Sequence, residues 1–349
     1  MKGIFFIPIN NPKIPYNQVL DNVIKDTVFC DANNIDEAFY GEHMADKYEK
    51  VSSSLTLISS LSRVTQKINL GTMTANVIFH HPAVLSSLIS TIDNLSSGRL
   101  LLGIGCGSNQ CDLEITEKFG QKNYDLMMEI IKITKKILYS DKLLDIKSKN
   151  FNISSKKRGS KELLLGFFDG LYKKRKDLEI ILPILSKNSH NIKVCSKNNW
   201  SFLSSNFCCE EILKSHISSY IENSKKNQKK IINKMKIARF LFVVEKEKEA
   251  QKFLLKDDSP FLYMIDVIKR KTKSFGKFDI FGLGLSDVKE IAKKLVIYGT
   301  PEIVSEKIYE LKNNIGNFGS IVYTAIPRNK NKVYENSLNL FANEVKTSN

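Results

Sequence analysis

Short apolar runs alternate along this chain with stretches in which apolar residues return every three or four positions, and few folds accept that order. A run of four to eight apolar residues fits a strand buried on both faces, whereas the wider spacing marks one face of a helix. Gly3–Ile7, Asp36–Tyr40, Ile68–Ala75, Leu100–Gly105, Ile180–Leu185, Ser201–Leu203, Lys236–Val244 and Ser320–Tyr323 are read as strands. Tyr16–Asn33, Ser54–Ser62, Pro82–Leu95, Tyr124–Leu138, Ile192–Lys197, Glu210–Lys226 and Tyr334–Val345 are read as helices. Pro82 and Pro301 suit first helical positions, where a missing N–H costs no hydrogen bond, and Thr300 suits the cap before Pro301.

Strands separated by helices pair in parallel, because each crossover returns the chain to the same end of the sheet. Seven or eight such units in 349 residues predict an α/β fold, a (β/α)8 TIM barrel, with insertions at about 140–178 and 255–286. Length alone hints at two domains, but a barrel uses about 250 residues or more as one unit, so a single domain over 1–349 is expected. The first insertion is polar and Lys-rich and is expected to be weakly structured. The second carries Phe261, Tyr263, Phe275, Phe278 and Phe281, which suit either a substrate lid or packing on the barrel.

The chain carries 53 Lys plus Arg against 37 Asp plus Glu, a formal net charge of +16 that raises the question of a polyanionic partner. Of these cations 46 are Lys and only 7 Arg, and Arg is the side chain that grips phosphate bidentately. The Lys are dispersed, with the densest runs (156–158, 173–176 and 225–230) in expected loops or helix ends, so a solvated surface and no nucleic acid are expected. Six Cys form no CxxC pair and no metal-ligand spacing with the five His, so no metal site is expected. No stretch approaches the about 18 apolar residues of a membrane span, and the N-terminal run closed by Pro8 is too short for a signal-peptide core. A reduced, cytoplasmic protein is expected, with Cys208 and Cys209 as thiols.

Active sites of barrels lie at the C-terminal ends of the strands. There the chain places Glu42-His43-Met44, Met73 to Asn76, Cys106 to Asn109, Ser186 to Ser189, Ser204 to Asn206 and Thr324-Ala325. Gly103, Gly105 and Gly107 mimic a dinucleotide fingerprint but lack its spacing, and are better read as letting backbone approach a ligand. His80-His81-Pro82 is a weak metal signal and reads as a helix cap at His81.

Three co-linear strings carry a resemblance. "YGEHM" at 40–44, the segment from Ser54 to Gly107, and "VIYGTPEIVSEKIYELKNNIGNFGSIV" at 296–322 resemble the bacterial luciferase-like flavin monooxygenase family. "LSKNSHNIKVCSKNNWSFLSS" at 185–205 is similar to its limonene-monooxygenase-like branch. The resemblance implies reduced FMN or, in other branches, a deazaflavin, lying across the strand ends and reacting with oxygen. It implies His43 as the residue managing protons and Glu42, Met73, Thr74, Ala75, Gly105, Cys106, Ser186, Lys187 and Ser189 as cofactor-binding, with a bulge and a cis peptide at Met73–Thr74. The family frequently has Arg at the place of Cys106 and a basic residue near Asn123; here Lys122, Lys187 and the Ser186 and Ser189 hydroxyls are the candidates to replace them. Many members also carry a second His where this chain has Met44. The implied partners are a small apolar or carbonyl substrate, oxygen, a separate flavin reductase and a second subunit in a homo- or heterodimer. The alternatives are a deazaflavin-dependent oxidoreductase on the same barrel and a non-catalytic flavin-binding or partner subunit.

Overall fold

The computed structural model describes the chain except for Pro8, 156–169, Lys176, 225–230, 275–278, Ile280, 328–331 and 348–349. Phe275, Phe278 and most of the densest Lys runs lie outside the described residues. Eight strands form the central sheet: β1 (Lys2–Phe6), β2 (Glu37–Tyr40), β3 (Asn69–Thr72), β4 (Leu100–Gly105), β5 (Ile180–Ile184), β6 (Ser201–Ser204), β7 (Met235–Val243) and β8 (Ser320–Thr324). Each pairs in parallel with the next, and β8 returns to β1 through Lys2 opposite Ile321, so the sheet closes into a barrel surrounded by helices.

Inward-facing side chains fill the barrel in layers, as the two-residue strand period requires. At the N-terminal floor the buried Lys236 ammonium donates to the buried Glu37 carboxylate at 2.6 Å, with the half-buried Glu179 at 3.8 Å. Above them Phe39, Met73, Leu101, Ile181, Leu203, Ala238 and Val322 form an apolar plug. The plug closes the barrel to water and leaves chemistry to the residues at the C-terminal ends.

The expected strand over 68–75 is interrupted. β3 stops at Thr72, and after Met73 and Thr74 the chain shifts sideways so that Ala75 and Asn76 pair with Ile104 and Gly105 of β4. The Met73–Thr74 peptide is cis, at the bond where the resemblance placed it. Gly103 makes the shift sterically possible, because a Cβ there would stand 2.0 Å from the Thr72 carbonyl oxygen.

Both insertions hold more structure than their composition suggests. Within 140–178 an antiparallel hairpin, Asp145–Lys147 with Asn152–Ser154, buries Ile146 against Ile133 and Ile137 of the helix Asn123–Leu138. Within 255–286 lies the helix Pro260–Ser274, flanked in the chain by helices Glu247–Leu254 and Val288–Leu295. A further strand, Val296–Gly299, extends the sheet by pairing with the upper half of β7. These elements share an apolar cluster with Phe240 and Phe242 of β7, Phe207 and Phe281, set over the C-terminal side of the barrel.

Candidate active site

His43 follows β2 by three residues, and its backbone N–H is fixed on the Val51 carbonyl at 2.9 Å. Its imidazole lies between two carboxylates: Nδ1 is 3.0 Å from Asp112 and Nε2 is 3.3 Å from Glu49. Asp112 sits in the helix Gln110–Ile115, capped by the Asn109 side chain, and its other oxygen accepts from the Ala45 N–H at 2.7 Å. Glu49 is buried, and its other oxygen accepts from Lys271, which also binds Asp46. Asn109 donates to Asp46 at 3.1 Å, closing the network. Burial alone would lower the His43 proton affinity, but Glu49 and Asp112 outweigh it and push the group up to about 10. Burial would likewise raise the Glu49 carboxyl, yet His43 and Lys271 hold it down at about 2. His43 is therefore an imidazolium throughout the neutral range, a fixed cation rather than a group that switches near pH 7.

Glu42 faces away from this cluster. One of its oxygens accepts from the Ser54 N–H and hydroxyl at 2.8 and 2.7 Å, and the other from the Asn76 N–H at 2.8 Å. It thus ties the end of β2 to the helix Ser54–Val64 and to the displaced segment after Thr74. Met73, Thr74 and Ala75 form that segment's wall, and Gly105 faces it so closely that a Cβ would stand 2.3 Å from the Thr74 hydroxyl oxygen. Cys106, half-buried, follows at the end of β4, with burial pushing its thiol up. His81 caps the helix Pro82–Leu95 by accepting from the Ala83 N–H, so it is structural as expected.

Ser186, Lys187 and Ser189 occupy the loop after β5, where Ser189 begins the helix His190–Asn198. Lys187 is half-exposed and paired with Glu211. The loop is anchored from below by His216, which is fully buried on the helix Glu210–Asn223. Its Nε2–H donates to the Ser186 carbonyl at 2.9 Å, and the Ser204 hydroxyl lies on Nδ1 at 2.9 Å. A carbonyl can only accept, so Nε2 carries the proton; burial lowers the His216 proton affinity, and the neutral ring then accepts from Ser204. Beside the loop, the Tyr124 ring meets His190 edge-on at 6.4 Å, and the Tyr124 hydroxyl and Asn123 side-chain oxygen are buried without a partner among the described residues. Just after β6 and at the end of β8, Asn206 Nδ2 and Thr324 Oγ1 are also buried without a partner among the described residues. Among the described residues no group of three or more His, Cys, Asp or Glu is placed to hold a metal, and no helix is long and apolar enough to cross a membrane.

Four of the residues that define this site, Asp46, Glu49, Asp112 and Lys271, were not singled out from the sequence, nor was His216. A signal for Lys271 exists: Phe261, Met264 and Ile268 form a buried stripe whose next helical position is 271.

The family model described as luciferase-like monooxygenase matches residues 1–160. 2,5-Diketocamphane 1,2-monooxygenase 1 of Pseudomonas putida is 24% identical over 365 aligned positions, covering 98% of this chain and 97% of that protein. Among solved structures, the oxygenating constituent of 3,6-diketocamphane monooxygenase from Pseudomonas putida, a type II Baeyer-Villiger monooxygenase in complex with FMN, superposes with a TM-score of 0.82 at 22% identity, over 99% of this chain and 97% of that one. An F420-dependent secondary alcohol dehydrogenase shares the fold at a TM-score of 0.66 and 14% identity, over 99% and 98% of the two chains.

Proposed function

We propose that the chain is a member of the luciferase-like monooxygenase family, whose model matches residues 1–160, and that it is a flavin-dependent monooxygenase using reduced FMN and molecular oxygen. The observation that carries this reading is the furnishing of the strand ends: the displaced Met73-Thr74-Ala75 wall against Gly105 on one side, and the imidazolium of His43 on the other. The residues fit such a cofactor. The Met73–Ala75 segment, packed onto Gly105, offers a wall for a ring, and Ser186, Lys187 and Ser189 with the following helix start offer donors for the ribityl phosphate. Buried polar atoms at Tyr124 and Asn123 that have no partner among the described residues lie beside the same loop, where a polar ligand would satisfy them.

Reduced FMN, when bound, supplies two electrons and the ring at which dioxygen is activated. The chain's own residues do the rest. His43 keeps its ring protons on Glu49 and Asp112, and in this reading it holds those carboxylates and the end of β2 in place beside the cofactor. The aromatic cluster of Phe207, Phe240, Phe261 and Phe281 keeps water away on the β7 side. Asn206 Nδ2 and Thr324 Oγ1 are donors available to a substrate carbonyl, which supports a small apolar or carbonyl substrate. A separate reductase is the source of reduced flavin in this reading.

Anaerobic titration with reduced FMN tests the reading; no binding at tens of micromolar sinks it. A deazaflavin is the second reading, favoured by one observation: Cys106 follows Gly105 at the end of β4, and the 186–189 loop itself holds Lys187 but no Arg. Titration with that cofactor in parallel decides between them. We also infer a dimer. The packed helices Ser54–Val64 and Pro82–Leu95 carry only Arg63 and the buried Asp93 as charges, and expose Val64, Val84 and Leu88 on a chain of +16. A sedimentation mass of one chain at micromolar concentration removes this inference.

A further inference from the structure

The helix Pro260–Ser274 lies over the aromatic cluster on the C-terminal side of the barrel, burying Phe261, Met264, Ile265 and Ile268 against Phe240, Phe242 and Ile9. Its buried stripe ends on a cation. Lys271 stands seven positions beyond Met264 and three beyond Ile268, so it points to the same face, and its side chain is only 19% exposed. Both anions that receive it, Asp46 and Glu49, belong to the segment that carries His43. Two weaker ties follow the same seam: the Tyr263 hydroxyl donates to the Asn10 carbonyl at 3.1 Å, and the Arg270 guanidinium stands 6.0 Å from the centre of the Tyr48 ring. Glu49 divides its carboxylate, one oxygen to Lys271 and one to His43.

We propose that Lys271 is a positioning residue that fastens this helix across the mouth of the barrel through the same Glu49 carboxylate that holds His43, so that cover and imidazole share one anion. The proposal rests on the flavin reading for its purpose, which is to keep the covered site dry and His43 in place during turnover. The coupling has a definite sign. Two cations that share an anion repel each other, so docking of Lys271 weakens the hold of Glu49 on the His43 proton, and withdrawal of Lys271 strengthens it. The groups that set the charge on His43 are Glu49 and Asp112 in contact, with Asp46 and Lys271 one step away.

Hydrogen exchange on the whole chain without flavin tests the fastening, so its failure is distinct from a failure to bind reduced FMN. In Lys271→Met the amides of the second half of the helix 260–274 are expected to exchange about tenfold faster while those of β1 to β5 keep their rates; each tenfold is about 1.4 kcal/mol of local opening. Lys271→Arg, which keeps the charge, is expected to stay near the unsubstituted rate. Nuclear magnetic resonance of the His43 ring supplies the second readout: its titration midpoint rises in Lys271→Met. Unchanged exchange in Lys271→Met, an increase spread evenly over the barrel, or a His43 midpoint that stays put or falls overturns the proposal.

Discussion

Replacing Glu49 by glutamine probes the charge on His43 most directly. The imidazole rises from its ordinary 6.5 to about 10 although burial alone would lower it, so the rise belongs to the two carboxylates. A tenfold change in proton affinity is worth about 1.4 kcal/mol, which makes the rise equivalent to roughly 5 kcal/mol in favour of the cation. The side chain is 19% exposed and solvent screens part of the interaction, leaving about 3 kcal/mol. Glu49 is the stronger of the two partners, so Glu49→Gln is expected to remove about 2 kcal/mol of folding stability through His43. A group whose proton affinity is raised by folding stabilises fully below its unfolded midpoint and ceases to do so as pH climbs through the folded one. The stability gap between the two chains is therefore widest near 6.5 and narrows as pH rises through about 10. Glu49 itself, held at about 2 against an ordinary 4.5, contributes above 4.5 and stops contributing as pH falls through 2; this is the same ion pair seen from the anion. Loss of the Lys271 pair adds a part that stays constant over most of that range, so the slope is what matters. Urea unfolding of both chains from about pH 6 to 10, with the His43 ring followed by magnetic resonance, measures it. A His43 midpoint near 6.5 in the unsubstituted chain, or a gap with no pH dependence, refutes the reasoning.

Three further outcomes are expected. Lys236→Met leaves the Glu37 carboxylate buried on the barrel floor without its cation and should cost about 3–5 kcal/mol in urea unfolding, most of it recovered when Glu37→Met is added. His216→Ala frees the Ser186 carbonyl and the Ser204 hydroxyl, and is expected to weaken reduced-FMN binding about tenfold by calorimetry, or about 1.4 kcal/mol, while an unchanged affinity separates His216 from the cofactor loop. Gly105→Ala drives a Cβ to 2.3 Å from the Thr74 hydroxyl oxygen, an overpacking of about 1–3 kcal/mol that should displace the Met73–Ala75 wall; Thr74→Ala in the same chain restores flavin affinity if the clash is the cause.

Much of this protein is local in origin. Buried parallel strands need continuous apolar runs and surface helices need a three-to-four period, so β1, β4, β7 and the helix Pro82–Leu95 lie where those patterns fall, with His81 and Thr300 as caps. Order along the chain then settles the barrel, and the barrel puts His43, Met73 to Ala75, Cys106 and Ser186 to Ser189 at one end. The helix Pro260–Ser274 was obscured by aromatics read as a loose cluster, although Phe261, Met264 and Ile268 keep helical spacing.

What local pattern could not decide is charge. The sequence by itself determined that a histidine follows β2; only the tertiary structure decided that it is an imidazolium, because Asp112 lies 69 positions away along the chain and Lys271 reaches Glu49 from 222 positions away. Coulomb energy depends on distance in space and on the exclusion of water, and neither is written in the spacing of residues along a chain. Only the folded chain, likewise, brings Ser54 and Asn76 to the two oxygens of Glu42.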